Sequence, residues 1–296
     1  MNHIKDQIHC ERAYRMGLSG KGIGVAVLDT GIFLHRDFDS RVTGFADMVN
    51  RRNFAYDDCG HGTHICGIIG GSGRMSGGRY SGIAPGCNLI MVKVLDRKGN
   101  GYSSDVLAGI SWVLERKEQL GIRILNISVG ACSKRGMSEN SALVKGVNRA
   151  WDAGLVVVVA AGNNGPRTMS ITTPGISRKV ITVGCSDDDR EVLVGGNRMV
   201  DYSGRGPTAA CICKPDLVAP GCSVVSCSSR ADKYTIKSGT SMSTPIVSGA
   251  VALLLERFPD MSNKDVKLRL RESSVDIGLP RNQQGWGKFN CKKFLA

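Results

Sequence analysis

Gly24-Val25-Ala26-Val27-Leu28-Asp29-Thr30-Gly31 decides the fold: a β-branched apolar run halts at a carboxylate, and a glycine turn follows. A strand with one solvated face alternates apolar and polar residues, whereas an unbroken apolar run belongs to a strand buried on both faces. Similar runs recur at residues 89–95, 122–129, 155–160 and 180–183. Helical periodicity fills the gaps between them. Val106, Leu107, Ile110, Val113 and Leu114 share one face of a helix predicted over residues 104–119, with Ser103 or Ser104 as its N-cap. A second helix is predicted over residues 141–153 and stops at Gly154. Strand, helix and strand in repetition specify an α/β fold, a mostly parallel, doubly wound sheet with helices on both faces. No repeat, low-complexity tract or proline-rich linker divides the chain. We expect one domain over residues 1–296, with residues 1–20 as an amino-terminal lead-in.

Composition agrees with a packed sheet. Hydrophobic residues make up 42% of the 296, ample for a core and too many for a disordered chain. The formal net charge is +13, but the basic residues are scattered, as in Arg51-Arg52, Arg97-Lys98 and Lys292-Lys293. Without a zinc-knuckle spacing, an RNP-like aromatic run or a long basic tract, this reads as a basic soluble surface, and no nucleic-acid partner is expected. The longest apolar runs, residues 155–161 and 250–255, are far too short to span a bilayer, so no membrane partner is expected. The cysteines number 11, so at least one is unpaired within the chain. Cys66, Cys87 and Cys185 stand in apolar contexts and read as buried free thiols of a reducing compartment. Cys211 and Cys213 have the wrong spacing for a redox pair and are too few for zinc. The amino terminus, Met1-Asn2-His3-Ile4-Lys5-Asp6-Gln7, is polar and lacks the apolar region of a secretory signal. These features lead us to expect a cytoplasmic protein, a processed secreted form being the alternative. Oligomeric state stays open.

Three segments set a polar group at an element's end. Asp29 closes its strand, and open α/β sheets bind ligands beyond the carboxyl ends of their strands. A turn-forming aspartate is the plain alternative. Gly60-His61-Gly62-Thr63-His64-Ile65-Cys66-Gly67 puts two histidines three apart ahead of an apolar, helix-like run. A metal pair on one helical face is one option, but no glutamate stands between them as in His-Glu-x-x-His. Ser238-Gly239-Thr240-Ser241-Met242-Ser243-Thr244-Pro245 leads into an apolar helix over residues 246–257. Ser241 would then lie at a helix amino terminus, where unpaired N–H groups and the dipole favour developing negative charge. An ordinary helix cap is the alternative. Pro245 is compatible with the helix only in or near its first turn.

Together, and in this order, the segments resemble the subtilisin-like serine proteases. That family's Asp-Thr/Ser-Gly, His-Gly-Thr-His and Gly-Thr-Ser-Met-x-x-Pro stand here as Asp29-Thr30-Gly31, His61-Gly62-Thr63-His64 and Gly239-Thr240-Ser241-Met242-Ser243-Thr244-Pro245. Val156-Val157-Val158-Val159-Ala160-Ala161-Gly162-Asn163-Asn164-Gly165 resembles the family's strand that ends at an oxyanion asparagine, here Asn163. Lys214-Pro215-Asp216-Leu217-Val218-Ala219-Pro220-Gly221 resembles a segment upstream of the serine. The resemblance runs from about Gly20 to about Gly287.

What the resemblance implies is a three-layer subtilisin-like fold and a peptide-bond hydrolase. Asp29, His61 and Ser241 would be its triad, within hydrogen-bonding reach of one another, and Asn163 an oxyanion donor. Ser128-Val129-Gly130 and Gly99-Asn100-Gly101-Tyr102 would be the two edges that hold a peptide or protein substrate as an added strand. Gly162 would border the site and Thr172 would lie near the base of the first pocket, which would take a neutral, apolar residue. Asp57 and Asp58 read as solvated loop carboxylates rather than as a subsite for basic residues. The chemistry requires no cofactor. The stretch matching a family calcium loop, Gly70-Gly71-Ser72-Gly73-Arg74-Met75-Ser76-Gly77-Gly78-Arg79, has two arginines and no carboxylate, so no calcium is expected there. Asp187-Asp188-Asp189 reads as three solvated carboxylates. Cys66, close to His61 in sequence, is a route by which thiol reagents could disturb catalysis. Two rivals are weaker on the residues. A non-catalytic binding protein on this scaffold would lack a triad member. An esterase or acyltransferase normally carries Gly-x-Ser-x-Gly and the order Ser, Asp, His.

Overall fold

The structure, a computed structural model, describes residues 1–130 and 139–296. In chain order the strands are β1 (Gly24–Asp29), β2 (Val42–Asp47), β3 (Asn88–Lys93), β4 (Ile122–Ile127), β5 (Val156–Ala160), β6 (Ile181–Cys185), β7 (Val192–Val194), β8 (Asn197–Met199), β9 (Leu217–Ala219), β10 (Val224–Cys227) and β11 (Tyr234–Lys237). Seven of them form one sheet in the order β2-β3-β1-β4-β5-β6-β9, and every neighbouring pair in it is parallel. The first strand lies inside the sheet; the chain runs from it to the edge strand β2, returns inward to β3 beside β1, and then crosses to β4 and proceeds outward to β9. β1, β5 and β6 are buried at every residue, as their unbroken apolar runs require. β2 and β9 escaped the sequence reading. β2 is a half-exposed edge without an apolar run, and β9 is only three residues long.

The helices are α1 (Asn2–Gln7), α2 (Glu11–Arg15), α3 (His61–Gly70), α4 (Ser103–Arg116), α5 (Ala142–Asp152), α6 (Thr240–Arg257), α7 (Asn263–Ser273), α8 (Arg281–Gln284) and α9 (Cys291–Phe294). Their placement follows from strand pleating. Within β3, Met91 approaches Gly62 of α3, while the next residue, Val92, approaches Gly109 of α4. Successive strand residues point to opposite faces, so α3 and α4 cover opposite sides of the sheet. α6 packs beside α3, and α5 beside α4. All of α6 is buried except Ser241 and its last two residues, which explains why its sequence is apolar all round.

Two local expectations are corrected. α4 starts at Ser103 with Tyr102 as N-cap and no side-chain cap, so both serines lie inside the first turn, with Asp105 beside the dipole. Pro245 is the sixth residue of α6, one turn deeper than expected, and it lacks the N–H that would bond the Ser241 carbonyl. α5 follows the expectation: Ser141 Oγ accepts the Val144 N–H, and Gly154 follows at φ +90°.

Residues 1–20 are more than a lead-in. α1 and α2 send Met1, Ile4, Ile8, Cys10 and Ala13 into a core that continues to Leu295. The Cys291 N–H donates to the Ile8 carbonyl at 2.7 Å, and Cys10 Sγ lies 3.0 Å from Cys291 Sγ. Cys66, Cys87 and Cys185 are buried and Cys211 and Cys213 exposed; Cys132 lies outside the described residues. Among the described residues, no helix is long and apolar enough to cross a membrane.

Candidate active site

Asp29 ends β1 fully buried, and α3 begins with His61. Two contacts dock α3 against the turn after β1. The Gly62 N–H donates to Thr30 Oγ1 at 2.9 Å, and a Cβ on Gly62 would fall 2.2 Å from the Gly31 carbonyl oxygen. Only glycine permits that approach. Asp57 completes the junction and is not a solvated carboxylate. Its Oδ1 accepts the Thr30 hydroxyl and the Cys59 and Gly60 N–H groups, and its Oδ2 accepts the Thr63 N–H and hydroxyl. Gly60 offers no capping side chain, so Asp57 serves the helix amino terminus instead. Asp58 is likewise committed, at 2.8 Å from Lys93 Nζ, which also donates to the Thr30 and Leu95 carbonyls.

This scaffold brings His61 Nδ1 to 2.7 and 2.9 Å from the two Asp29 carboxylate oxygens. A carboxylate only accepts, so Nδ1 carries the proton and a neutral ring presents the Nε2 lone pair. Burial pushes the His61 pKa down, but the charge of Asp29 and its hydrogen bond outweigh burial, leaving the pKa above the ordinary histidine value. The imidazole is 22% exposed, so its free edge meets an open cleft.

The cleft, about 450 Å³, is lined by His61, Ser128, Val129, Gly130, Gly162, Asn163, Thr172 and Ser241, gathered beyond the carboxyl ends of β1, β4 and β5. The Thr240 N–H and hydroxyl both lie 3.0 Å from Asn163 Oδ1. A backbone N–H can only donate, which assigns oxygen to that edge of the amide and Nδ2 to the other. Ser241 Oγ donates to the Ser128 carbonyl at 2.7 Å instead of to His61, so the expected serine–histidine bond is not made in this conformation. Ser128 is itself anchored: Asn126 Nδ2 donates to Ser128 Oγ at 2.9 Å and Ser248 Oγ to Asn126 Oδ1 at 2.8 Å. This buried chain from α6 through β4 escaped the sequence reading, although a lone asparagine in an apolar strand was its visible signal.

Gly99 and Gly101 line an adjoining cavity of about 210 Å³ together with Val129 and Gly130. Tyr102 is 78% exposed and lines neither cavity. Thr172 is buried between two glycines; a Cβ on Gly130 or Gly162 would come within 2.2 or 2.4 Å of its side chain. The cleft is also lined by Cys59, Lys98, Gly195 and Lys237, which sequence reasoning did not single out as site residues.

Several neighbouring groups are committed elsewhere. Cys66 is buried within α3, its thiol pKa pushed well up by burial, and among the described residues Cys59 is the cysteine on the cleft. His64 is no metal partner of His61. Its Nε2 faces the Val224 and Thr235 carbonyls at 3.0 and 3.2 Å, and burial, then Lys237 and His61, lower its pKa to about 3. Of the expected solvated carboxylates at 187–189, only Asp189 is exposed. Asp187 accepts the Gly221 and Cys222 N–H groups, and Asp188 is buried against the Ser203 N–H. Among the described residues, two groups could gather metal ligands, His35, Asp37 and Cys227, and Cys185, Asp187 and Cys222. Neither lines the cleft. His35 has both ring nitrogens engaged, by the Asp37 N–H and the Lys233 carbonyl.

A parallel sheet that gathers an oriented imidazole and a helix-terminal hydroxyl beyond its carboxyl edge defines an α/β protein arranged for nucleophilic chemistry. Comparison with known proteins narrows that class. Residues 20–287 match the Subtilase family, Peptidase S8. Serine protease AprX of Bacillus subtilis (strain 168) is 42% identical over 285 residues, covering 90% of this chain. The match spans 64% of that relative's own length. Subtilisin DY of Bacillus licheniformis is 33% identical over 92% of this chain and 90% of its own. Among solved structures, Sphericase superposes with a TM-score of 0.77 at 31% identity, over 92% of both chains. A cold adapted subtilisin-like serine proteinase gives 0.75 at 28% identity, over 93% of this chain and 90% of that one. The chain belongs to the subtilase family.

Proposed function

We propose that this chain is a serine endopeptidase that cleaves peptide bonds through an acyl-enzyme on Ser241. The observation that carries the reading is the Asp29–His61 pair, whose free imidazole edge opens into the cleft that Ser241 and Asn163 line. A serine hydroxyl is a poor nucleophile at neutral pH and needs a base. Rotation about the Ser241 Cα–Cβ bond turns its hydroxyl from the Ser128 carbonyl to His61 Nε2. His61 then removes the proton as the serine attacks and returns it to the leaving amine, while Asp29 holds the tautomer and stabilises the imidazolium. The tetrahedral oxyanion is held by Asn163 Nδ2 and the Ser241 N–H at the start of α6, where helix amides lack i−4 partners.

The substrate lies extended between Ser128-Val129-Gly130 and Gly99-Asn100-Gly101. The side chain before the cut enters the pocket floored by Thr172, between Gly130 and Gly162. Among the described residues no charge stands in that floor, which favours a neutral, apolar residue. The reaction needs no cofactor, and loop 70–79 offers no carboxylate to calcium.

The test compares matched peptide and ester substrates, with Ser241→Ala as control. The reading expects both to be hydrolysed by the parent and neither by the variant. Ester cleavage alone would make the chain an esterase, and cleavage surviving in Ser241→Ala would remove the serine from the mechanism. A strict Arg or Lys requirement before the cut would overturn the pocket assignment.

A further inference from the structure

Among the described residues, the ionisable side chains lining the cleft are the His61 imidazole and the ammonium groups of Lys98 and Lys237, and no carboxylate lines it. We propose that Lys98 and Lys237 make this cleft selective for acidic peptides, so that Asp or Glu beside the scissile bond accelerates cleavage. The inference rests on the endopeptidase reading and deepens it with a substrate class.

Four observations carry it. First, the nearby carboxylates are already engaged by other groups. Asp29 is spent on His61, Asp57 on the amino terminus of α3, and Asp58 on Lys93 at 2.8 Å. Asp96, close to Lys98 in sequence, folds its own turn by accepting the Lys98 and Asn100 N–H groups. Second, among the described residues neither lysine ammonium has an ion-pair partner, in contrast to Lys93, Lys179 and Lys214. Third, Lys237 is half-buried at the end of β11, where solvent screens a charge less than at an open surface. Its charge pulls the His64 pKa down after burial and opposes the net rise that Asp29 gives His61, consistent with its place on the cleft beside the imidazole. Fourth, the net charge of +13 gives the whole molecule a field that draws anionic peptides toward the cleft.

The chemistry is a contact between an ammonium and a substrate carboxylate at a partly exposed rim. Such contacts are worth about 2- to 5-fold each in affinity, so two together give roughly tenfold. A substrate lysine at the same position is repelled, which widens the ratio between acidic and basic substrates. The pocket floored by Thr172 is not involved; the lysines read side chains on other residues of the bound strand.

The experiment uses the full chain and a series of quenched fluorogenic peptides. They differ only in carrying Glu, Gln or Lys at one of the two positions on each side of the cut. kcat/KM is measured for the parent, Lys98→Gln, Lys237→Gln and the double variant, at low salt and at high salt. The proposal expects Glu over Lys by about tenfold or more in the parent at low salt, with Gln between. High salt and each substitution should shrink that ratio, and the double variant should bring it close to one. Equal rates for the three peptides in the parent overturn it. So does a Glu preference that the double variant keeps intact. If the parent cleaves no peptide, or if Ser241→Ala cleaves as well as the parent, the endopeptidase reading falls and takes this inference with it. Cleavage that depends on Ser241 but ignores charge removes the inference alone.

Discussion

At His61 burial and charge pull in opposite directions, and charge prevails. The base must be neutral to act, so the acid limb of the pH–activity profile should lie above the unperturbed value of about 6.5. Asp29→Asn removes the charge that raises the pKa and leaves burial to lower it. The limb should then move to lower pH, while kcat drops by about 10⁴ through loss of the tautomer-holding partner. A limb that stays in place in that variant would contradict the coupling. Asn163→Ala should lower kcat by about 10²–10³ with little change in KM, as loss of one oxyanion donor does. The same residue holds Thr240 by two hydrogen bonds, so the melting temperature of the variant should be recorded beside its kinetics. Cys59, half-buried on the cleft with a thiol pKa raised first by burial, should react slowly with alkylating agents and block activity when it does. Cys59→Ser should abolish that inhibition and Cys66→Ser should not.

Among the elements, the junction of β1 and α3 is the most exacting. Gly62→Ala would drive a methyl into the Gly31 carbonyl oxygen, where backbone cannot yield. Overpacking of this kind costs about 1–3 kcal/mol, and the easiest relief is for α3 to shift, which carries His61 off Asp29. Activity measured well below the melting temperature should therefore fall by more than stability does. Equal residual activity would mean that the helix start tolerates the movement. This junction also marks where sequence reading stopped. β1, β3, β4, β5 and β6 were legible because strands buried on both faces are apolar without interruption. Asp29, His61, Asn163 and Ser241 stood out because each lies at, or within three residues of, an element's end inside a recognisable motif. Asp57 was read as solvated because nothing local reveals that Gly60 leaves the α3 amides uncapped. The role of Lys93 and the chain from Ser248 through Asn126 to Ser128 depend on contacts between distant segments. The turn of Ser241 toward Ser128 is a rotamer choice that no pattern encodes.

Over the whole molecule, the buried thiols set how stability varies with pH. Burial raises the pKa of Cys66, Cys185 and Cys227 well above the ordinary value and that of Cys87 to about 12. For Cys291 the hydrogen bond with Cys10 leads and burial follows. Unfolding returns each thiol to about 8.5. Their contribution to stability is complete below that pH and is lost as pH rises toward the folded values, because the unfolded chain then releases protons the folded one keeps. Lys5 and Lys214 act with the opposite sign. Burial lowers both to about 8, so between there and their unfolded value the folded chain gives up protons first and gains stability. Against those two lysines stand five thiols. The melting temperature should therefore fall between about pH 9 and 11 while catalysis stays on its alkaline plateau. A melting temperature that is level or rising over that interval would contradict this balance.

The account as a whole turns on which atom attacks the substrate. The direct measurement is to treat the protein with a fluorophosphonate, digest it and locate the adduct by mass spectrometry. The account predicts one adduct, on Ser241, formed in parallel with loss of peptide cleavage and absent from His61→Ala. Stoichiometric labelling of another residue, or full peptide cleavage by unlabelled protein after exhaustive treatment, would contradict it.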